Sequence, residues 1–342
     1  MKPLALLLLP AALAPMAELR WRRLPDLPRA LGGQFVGVAS GQLIVAGGSA
    51  WDRPPWENGT KLWADEIYAL SPGAGSWRLA GRLPQPMAYG ASVNAGNAML
   101  LFGGQSSSAL LDSVLLLAMT NGRAEIRRLG KLPSPMAMMS AVVAGGIVYL
   151  AGGQPTHAPT QALRRFLSVP LEDLLAGRGV WKELPPWDGP PRFFAQAASC
   201  GGVVYLAGGS DLVPGPAEQP ARRFLHDAHR YTASKGWERL PDMPRAAQAG
   251  LAACESGRFY VFGGSDGTVS EQLREKHPGF RRDVLEYDPQ ARRWSEAGRM
   301  PASLVTTGIT SWEGEYVIAG GEDRPGHRSA AVIATRAGGL PK

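Results

Sequence analysis

Six times along the chain an apolar run ends in two glycines, at residues 43–48, 99–104, 148–153, 204–209, 259–264 and 316–321. The second glycines, Gly48, Gly104, Gly153, Gly209, Gly264 and Gly321, stand 49 to 57 residues apart. Each run reads as a buried strand, and the glycines let the backbone turn sharply at its end. A second strand follows, such as residues 66–70 or 284–287. Then comes a tryptophan (Trp77, Trp181, Trp237, Trp294), with Ile126 taking that place in one copy. A Leu-Pro or Met-Pro turn closes the unit at Pro84, Pro133, Pro185, Pro241 and Pro301, and a further apolar strand leads to the next glycine pair. Each unit therefore predicts four strands. The segment Leu171–Leu175 alone hints at a helical turn.

A period near 50 with these marks resembles the kelch repeat. Six such sheets set radially predict an all-β fold, a six-bladed kelch β-propeller, over residues 18–342. The segment 19–25 reads as a fourth strand plus its turn with no blade before it. The last unit has three strands. The N-terminal strand is therefore expected to close the last blade beside residues 330–335, removing two open edges.

Composition agrees with strands punctuated by turns. The 43 Gly and 29 Pro are spread among apolar runs, and 45% hydrophobic content can fill a large core. The formal charge of +7 is carried by scattered arginines without a cluster, so no nucleic-acid partner is expected. A basic surface does favour small anionic ligands. Residues 1–17 carry Lys2, an apolar run and small residues, which read as a secretory leader too short for a membrane span. The expected location is therefore periplasmic or secreted. Cys200 and Cys254 exclude a disulfide framework and a thiolate metal site, and their spacing leaves open whether they pair.

In an up-and-down sheet alternate turns lie at one end, so the Gly-Gly loops and the Leu-Pro turns share a face. Long irregular loops at 49–65, 210–224 and 265–281 predict that this face carries function. On it lies the hairpin Gly320-Gly321-Glu322-Asp323-Arg324-Pro325-Gly326-His327-Arg328-Ser329, which can hold Glu322 and Arg328 side by side. Arg29, Arg192 and Arg245 each follow a proline after a turn. They can point into the central channel, where guanidinium groups suit a carboxylate ligand, or brace neighbouring blades. Trp51, Trp56 and Trp63 can stack on a sugar or pack a long loop. His226 and His229 lack the further ligands a metal site needs, and no metal or other cofactor is expected. His277 and His327 lie on loops of the same face.

A more specific resemblance rests on the hairpin 321–329, on Trp56-Glu57-Asn58-Gly59-Thr60-Lys61, on Ala88-Tyr89-Gly90 before Leu101-Phe102-Gly103-Gly104, and on Gly189-Pro190-Pro191-Arg192-Phe193. With these the chain resembles the sialic-acid mutarotases, or N-acetylneuraminate epimerases, in a cyclically permuted arrangement with the Gly-Glu…Arg loop in the last blade. The resemblance implies an isomerase acting on a small acidic sugar, with Glu322 as acid/base and Arg328 as its partner. The alternatives are a non-catalytic kelch module that binds a protein or glycan, and a copper-containing kelch oxidase, for which five ungrouped histidines are a poor ligand supply.

Overall fold

The glycine pairs are where neighbouring blades touch. In the computed structural model, which describes residues 19–216 and 219–336, both glycines of each pair have positive φ, as at Gly103 (52°) and Gly104 (94°). A Cβ on Gly47, Gly103, Gly152 or Gly208 would lie 2.3–2.4 Å from the carbonyl oxygen of Met87, Met136, Arg192 or Ala247. Each of these carbonyls belongs to the segment entering the next blade. In each of these four blades it accepts the N–H of the second glycine, as Met87 does from Gly48 at 2.9 Å. Only a residue without a side chain permits that approach.

The described strands form six four-stranded antiparallel sheets. The first blade orders Phe35–Ala39, Gln42–Trp51, Lys61–Leu70 and Arg78–Arg82. The last joins Ile309–Trp312, Glu315–Arg324 and His327–Arg336 to the N-terminal Trp21–Leu24. The closing strand pairs Trp21 with Thr335 and Leu24 with Val332. Arg22 fastens it further, donating from Nε to both carboxylate oxygens of Glu315 at 2.9 and 3.1 Å. The expected helical turn is present at Leu171–Leu175. Residues 1–17, read above as a leader, lie outside the described residues.

The core is a set of seams between blades. Phe35, Ile44 and Ile67 of the first blade meet Met99, Leu101 and Leu115 of the second. Equivalent clusters join every other adjacent pair, including Val36 and Val45 of the first blade with Val317 and Val332 of the last. The repeated tryptophan ties its blade to the turn before it. Trp77, Trp237 and Trp294 donate their indole N–H to the carbonyls of Pro25, Pro185 and Pro241. Cys200 and Cys254, on the innermost strands of two adjacent blades, form a disulfide with Cα atoms 5.5 Å apart.

A second set of bonds surrounds the axis. Just before each innermost strand one residue is left-handed: Gly33, Tyr89, Met138, Phe194, Ala249 and Thr306, with φ between 52° and 71°. The N–H of Tyr89 donates to Gly33 O, Met138 to Tyr89, Phe194 to Met138, Ala249 to Phe194, Thr306 to Ala249 and Gly33 to Thr306, at 2.7–3.0 Å. This closed ring forms a waist between a channel of about 180 Å³ among the inner strands and a cavity of about 220 Å³ above it.

The long loops are more regular than expected. In the first, fifth and last blades the Gly-Gly bend is a bulge and does not end the strand, with register shifts between Ala46 and Gly48, Phe262 and Gly264, and Ala319 and Gly321. Pairing resumes beyond it as far as Trp51 opposite Lys61 and Arg324 opposite His327. A separate hairpin, Ser210–Pro214 with Pro220–Phe224, occupies the same place in the fourth blade.

Gly103→Ala should therefore cost about 3 kcal/mol or more of stability. Gly145→Ala, at φ 57° with nothing within 4 Å of the added carbon, should cost about 1 kcal/mol. Chemical denaturation of both variants checks this, and equal losses would show that the carbonyl contact is not what requires glycine.

Candidate active site

Directly after each glycine pair stands a residue that bridges to the one preceding the waist. The six are Ser49, Gln105, Gln154, Ser210, Ser265 and Glu322. Five are neutral and the sixth is a carboxylate. Glu322 bridges to Val305 through Glu322 N–H to Val305 O at 2.8 Å and the reciprocal bond at 3.0 Å. Its position is thus set by the same bridge that follows the glycine pair in every blade.

Arg328 is its cross-strand partner. Pro325 and Gly326, the latter at φ 71°, make the two-residue turn between them, with proline first and a left-handed glycine second as in a type II turn. Glu322 Oε1 accepts the Gly326 N–H at 2.7 Å, which fixes the carboxylate. Its Oε2 lies 2.7 Å from Arg328 Nη1. That ion pair holds one side of the guanidinium, while Nε is buried without a hydrogen-bond partner among the described residues, so some donor capacity remains. Its Nη2 donates to the Tyr89 hydroxyl at 3.1 Å.

Tyr89 belongs to the waist and reaches up to the same spot. Its hydroxyl is 2.7 Å from Ser49 Oγ. The Lys61 ammonium lies 4.6 Å from its ring centre, and 5.3 Å from those of Trp51 and Trp63. Burial by itself would raise the Tyr89 phenol, but Arg328, Lys61 and the Ser49 hydrogen bond together hold it below its ordinary value. Two glycines make room for the pair: a Cβ on Gly32 would meet Arg328 Nε at 2.8 Å, and one on Gly33 would meet the Tyr89 ring at 2.6 Å.

Glu322, Arg328, Tyr89 and Lys61 all line the upper cavity, with Phe280 and Gln248 on the far side. Neighbouring loops wall it in. Trp56 donates to Glu275 at 2.6 Å and lies where a Cβ on Gly326 would touch it, so it covers the turn of the hairpin. Arg222 and Glu271 pair at 2.9 Å across two blades.

Arg29, Arg192 and Arg245 are not in this group. Each turns to an acid of its own blade that lies in the third strand (Glu66, Asp283) or directly before it (Asp227). Arg29 lies 3.8 Å from Glu66, Arg192 is 2.5 Å from Asp227, and Arg245 Nε is 2.6 Å from Asp283. Arg192 is fully buried, donates also to Gly208 O, and stacks on Trp187. The structure thus gives the bracing arrangement, within a blade instead of between blades, because the acid nearest the turn is the blade's own.

The histidines are engaged locally. His229 Nε2 is 2.9 Å from Asp188 O, and burial, with Arg192 nearby, lowers its pKa. His226 lies 3.5 Å from Asp242. His277 accepts Gly279 N–H, and His327 contacts Asp323 at 2.7 Å. Lys61 and Tyr89 were missed as site residues in the sequence, although both fall in stretches that carried the resemblance. Aligning the six blades would have exposed Tyr89 as the ionisable side chain among the waist positions.

Arg192→Ala should cost about 3–5 kcal/mol, because Asp227 is left buried and unpaired; a melting temperature equal to wild type would contradict the brace. Burial would raise the Asp283 carboxyl, yet Arg245 and Arg281 outweigh it and hold it low. Its contribution is therefore present above the ordinary carboxylate range and lost as pH falls through the depressed folded value. Asp283→Asn should lower stability by about 2 kcal/mol near neutrality, with the deficit closing in acid. A deficit constant from pH 7 to 2 would exclude this charge effect.

Comparison with known proteins adds to the geometry. A family model described as a kelch motif matches residues 248–301. A protein named N-acetylneuraminate epimerase from Haemophilus influenzae (strain PittEE) is 32% identical over 193 residues, 48% of this chain and 50% of that one. Its namesake in Yersinia enterocolitica is 33% identical over 116 residues, 29% of each chain. That of Salmonella arizonae is 31% identical over 125 residues, 31% of this chain and 32% of that one. In these alignments the chain spans at most half the length of the relatives it matches. The chain is a six-bladed kelch β-propeller that is similar, over at most half its length, to proteins named N-acetylneuraminate epimerase.

Proposed function

We propose that the protein is a mutarotase that interconverts the α and β anomers of N-acetylneuraminate or a related acidic sugar. The observation that carries this reading is the placing of Glu322 and Arg328, cross-strand neighbours on one hairpin, at the mouth of the axial well. The names of the relatives support the same sugar class.

The chemistry needs only proton transfers. A base takes the proton of the anomeric hydroxyl, the bond from the anomeric carbon to the ring oxygen breaks, and that oxygen is protonated. The resulting ketone rotates, and the chain closes on its other face. Glu322, anchored through Oε1 by the Gly326 N–H, presents Oε2 for the proton of the hydroxyl. Arg328, beside it at the wall of the cavity, offers its positive charge to the oxygen on which negative charge gathers. Lys61, which has no carboxylate partner among the described residues, adds to the positive field that draws in an acidic sugar.

An exported enzyme fits the leader-like residues 1–17 and the Cys200–Cys254 disulfide, a bond that persists in oxidising compartments. We therefore propose a periplasmic or secreted location.

NMR of freshly released α-N-acetylneuraminate tests the reading. Wild type should speed anomer equilibration above buffer, and Glu322→Gln should reduce the enzymatic rate by about a hundredfold or more. Equilibration at the buffer rate would end the assignment, and saturable binding without acceleration would leave a non-catalytic kelch module.

A further inference from the structure

Opening a hemiketal moves two protons: one leaves the anomeric hydroxyl and one arrives at the ring oxygen. Glu322 Oε1 is engaged by the Gly326 N–H, which leaves Oε2 for one of these transfers and calls for a second group to serve the other oxygen. We propose that Tyr89 is that group, the catalytic acid whose hydroxyl protonates the ring oxygen while Glu322 deprotonates the anomeric hydroxyl. This inference rests on the mutarotase reading and extends it to a residue with no assigned role.

Geometry makes the assignment. Glu322 Oε2 lies 2.7 Å from Nη1 of Arg328, and the Tyr89 hydroxyl lies 3.1 Å from Nη2 of the same guanidinium. The carboxylate and the phenol thus flank one guanidinium, and both residues line the upper cavity.

Tyr89 is also held still. Its backbone is part of the axial ring, with its N–H on Gly33 and its carbonyl accepting from Met138, both at 2.7 Å. Trp63 and Phe194 meet its ring edge to face at 6.0 and 6.4 Å. The side chains at the equivalent positions of the other blades, Gly33, Met138, Phe194, Ala249 and Thr306, carry no group that titrates.

The groups facing its hydroxyl are the Arg328 guanidinium, the Lys61 ammonium and the Ser49 hydroxyl, with Glu322 behind Arg328. All three stabilise a phenolate, which is what remains after the proton is given up. The transfers balance: Glu322 gains the anomeric proton, the C–O electron pair goes to the ring oxygen, and Tyr89 supplies that oxygen's proton. Closure of the ring reverses both, with no net proton change. The depressed phenol brings its proton affinity closer to working pH, where an acid that must also act as a base is most effective.

Tyr89→Phe keeps the ring and removes the proton. It should lower kcat for α-N-acetylneuraminate equilibration by about a hundredfold with little change in KM. Wild type should lose activity at alkaline pH as Tyr89 ionises, below the ordinary phenol value of about 10. Lys61→Met should move that limb to higher pH. Ultraviolet titration of tyrosine ionisation, with no sugar present, should show one low-pH phenol that is missing in Tyr89→Phe and raised in Lys61→Met. If Tyr89→Phe retains wild-type kcat while Glu322→Gln is inactive, the mutarotase reading stands and Tyr89 is not the acid. An alkaline limb unmoved in Lys61→Met overturns the assignment too, whatever the folding of Tyr89→Phe. If wild type itself fails to exceed the buffer rate, both readings fall together.

Discussion

Six backbone hydrogen bonds around the axis are the constraint on which the rest depends. Each links the left-handed residue at the head of one innermost strand to its counterpart in the next blade. The bonds require the strand heads to stand close together, and that proximity brings the residue after each glycine pair to the rim of the well. The hydrophobic seams supply most of the stabilisation by area, as burial generally does. The polar ring decides where the seams converge. A site composed of Glu322 and Arg328 from the last blade, Tyr89 from the second and Lys61 from the first exists because that convergence is fixed by main chain.

Function on such a scaffold comes from broken symmetry. Six equivalent positions after the glycines carry serine, glutamine and a single glutamate, and six waist positions carry a single ionisable phenol. The departures lie in different blades, yet Arg328 touches both. The blades that keep the neutral residues serve as scaffold for the blades that do not. The same local motif also recurs as a brace. Arg192 and Arg245 sit at matching points of their blades and answer to Asp227 and Asp283.

Most of the fold was legible because a propeller repeats. The glycine pairs, the tryptophans and the Leu-Pro turns recur in order, and their period implied six blades and the closing role of Trp21–Leu24 before any contact was known. The Glu322–Arg328 pair was legible for a local reason: six residues and a Pro-Gly turn are enough to set two side chains abreast. The sequence left the three arginines open between channel and brace because a position after a turn says which face a residue lies on but not which way its side chain leans. That depends on where the nearest acid falls, and Asp227 and Asp283 are more than thirty residues further along the chain. Tyr89 stayed hidden because its partner Arg328 is over two hundred residues away, and Lys61 because it joins the group only through the Tyr89 ring. Only the ring geometry makes them neighbours.

The blade that carries Glu322 and Arg328 is finished by the strand made first. Trp21–Leu24 must wait for the whole circle to be synthesised before it can dock against His327–Arg336. Contacts of such separation are slow to form and late to reward the chain for forming them. Completion of the well and completion of the fold therefore coincide: a chain that ends before the last blade holds the other blades of the ring but not the Glu322–Arg328 pair.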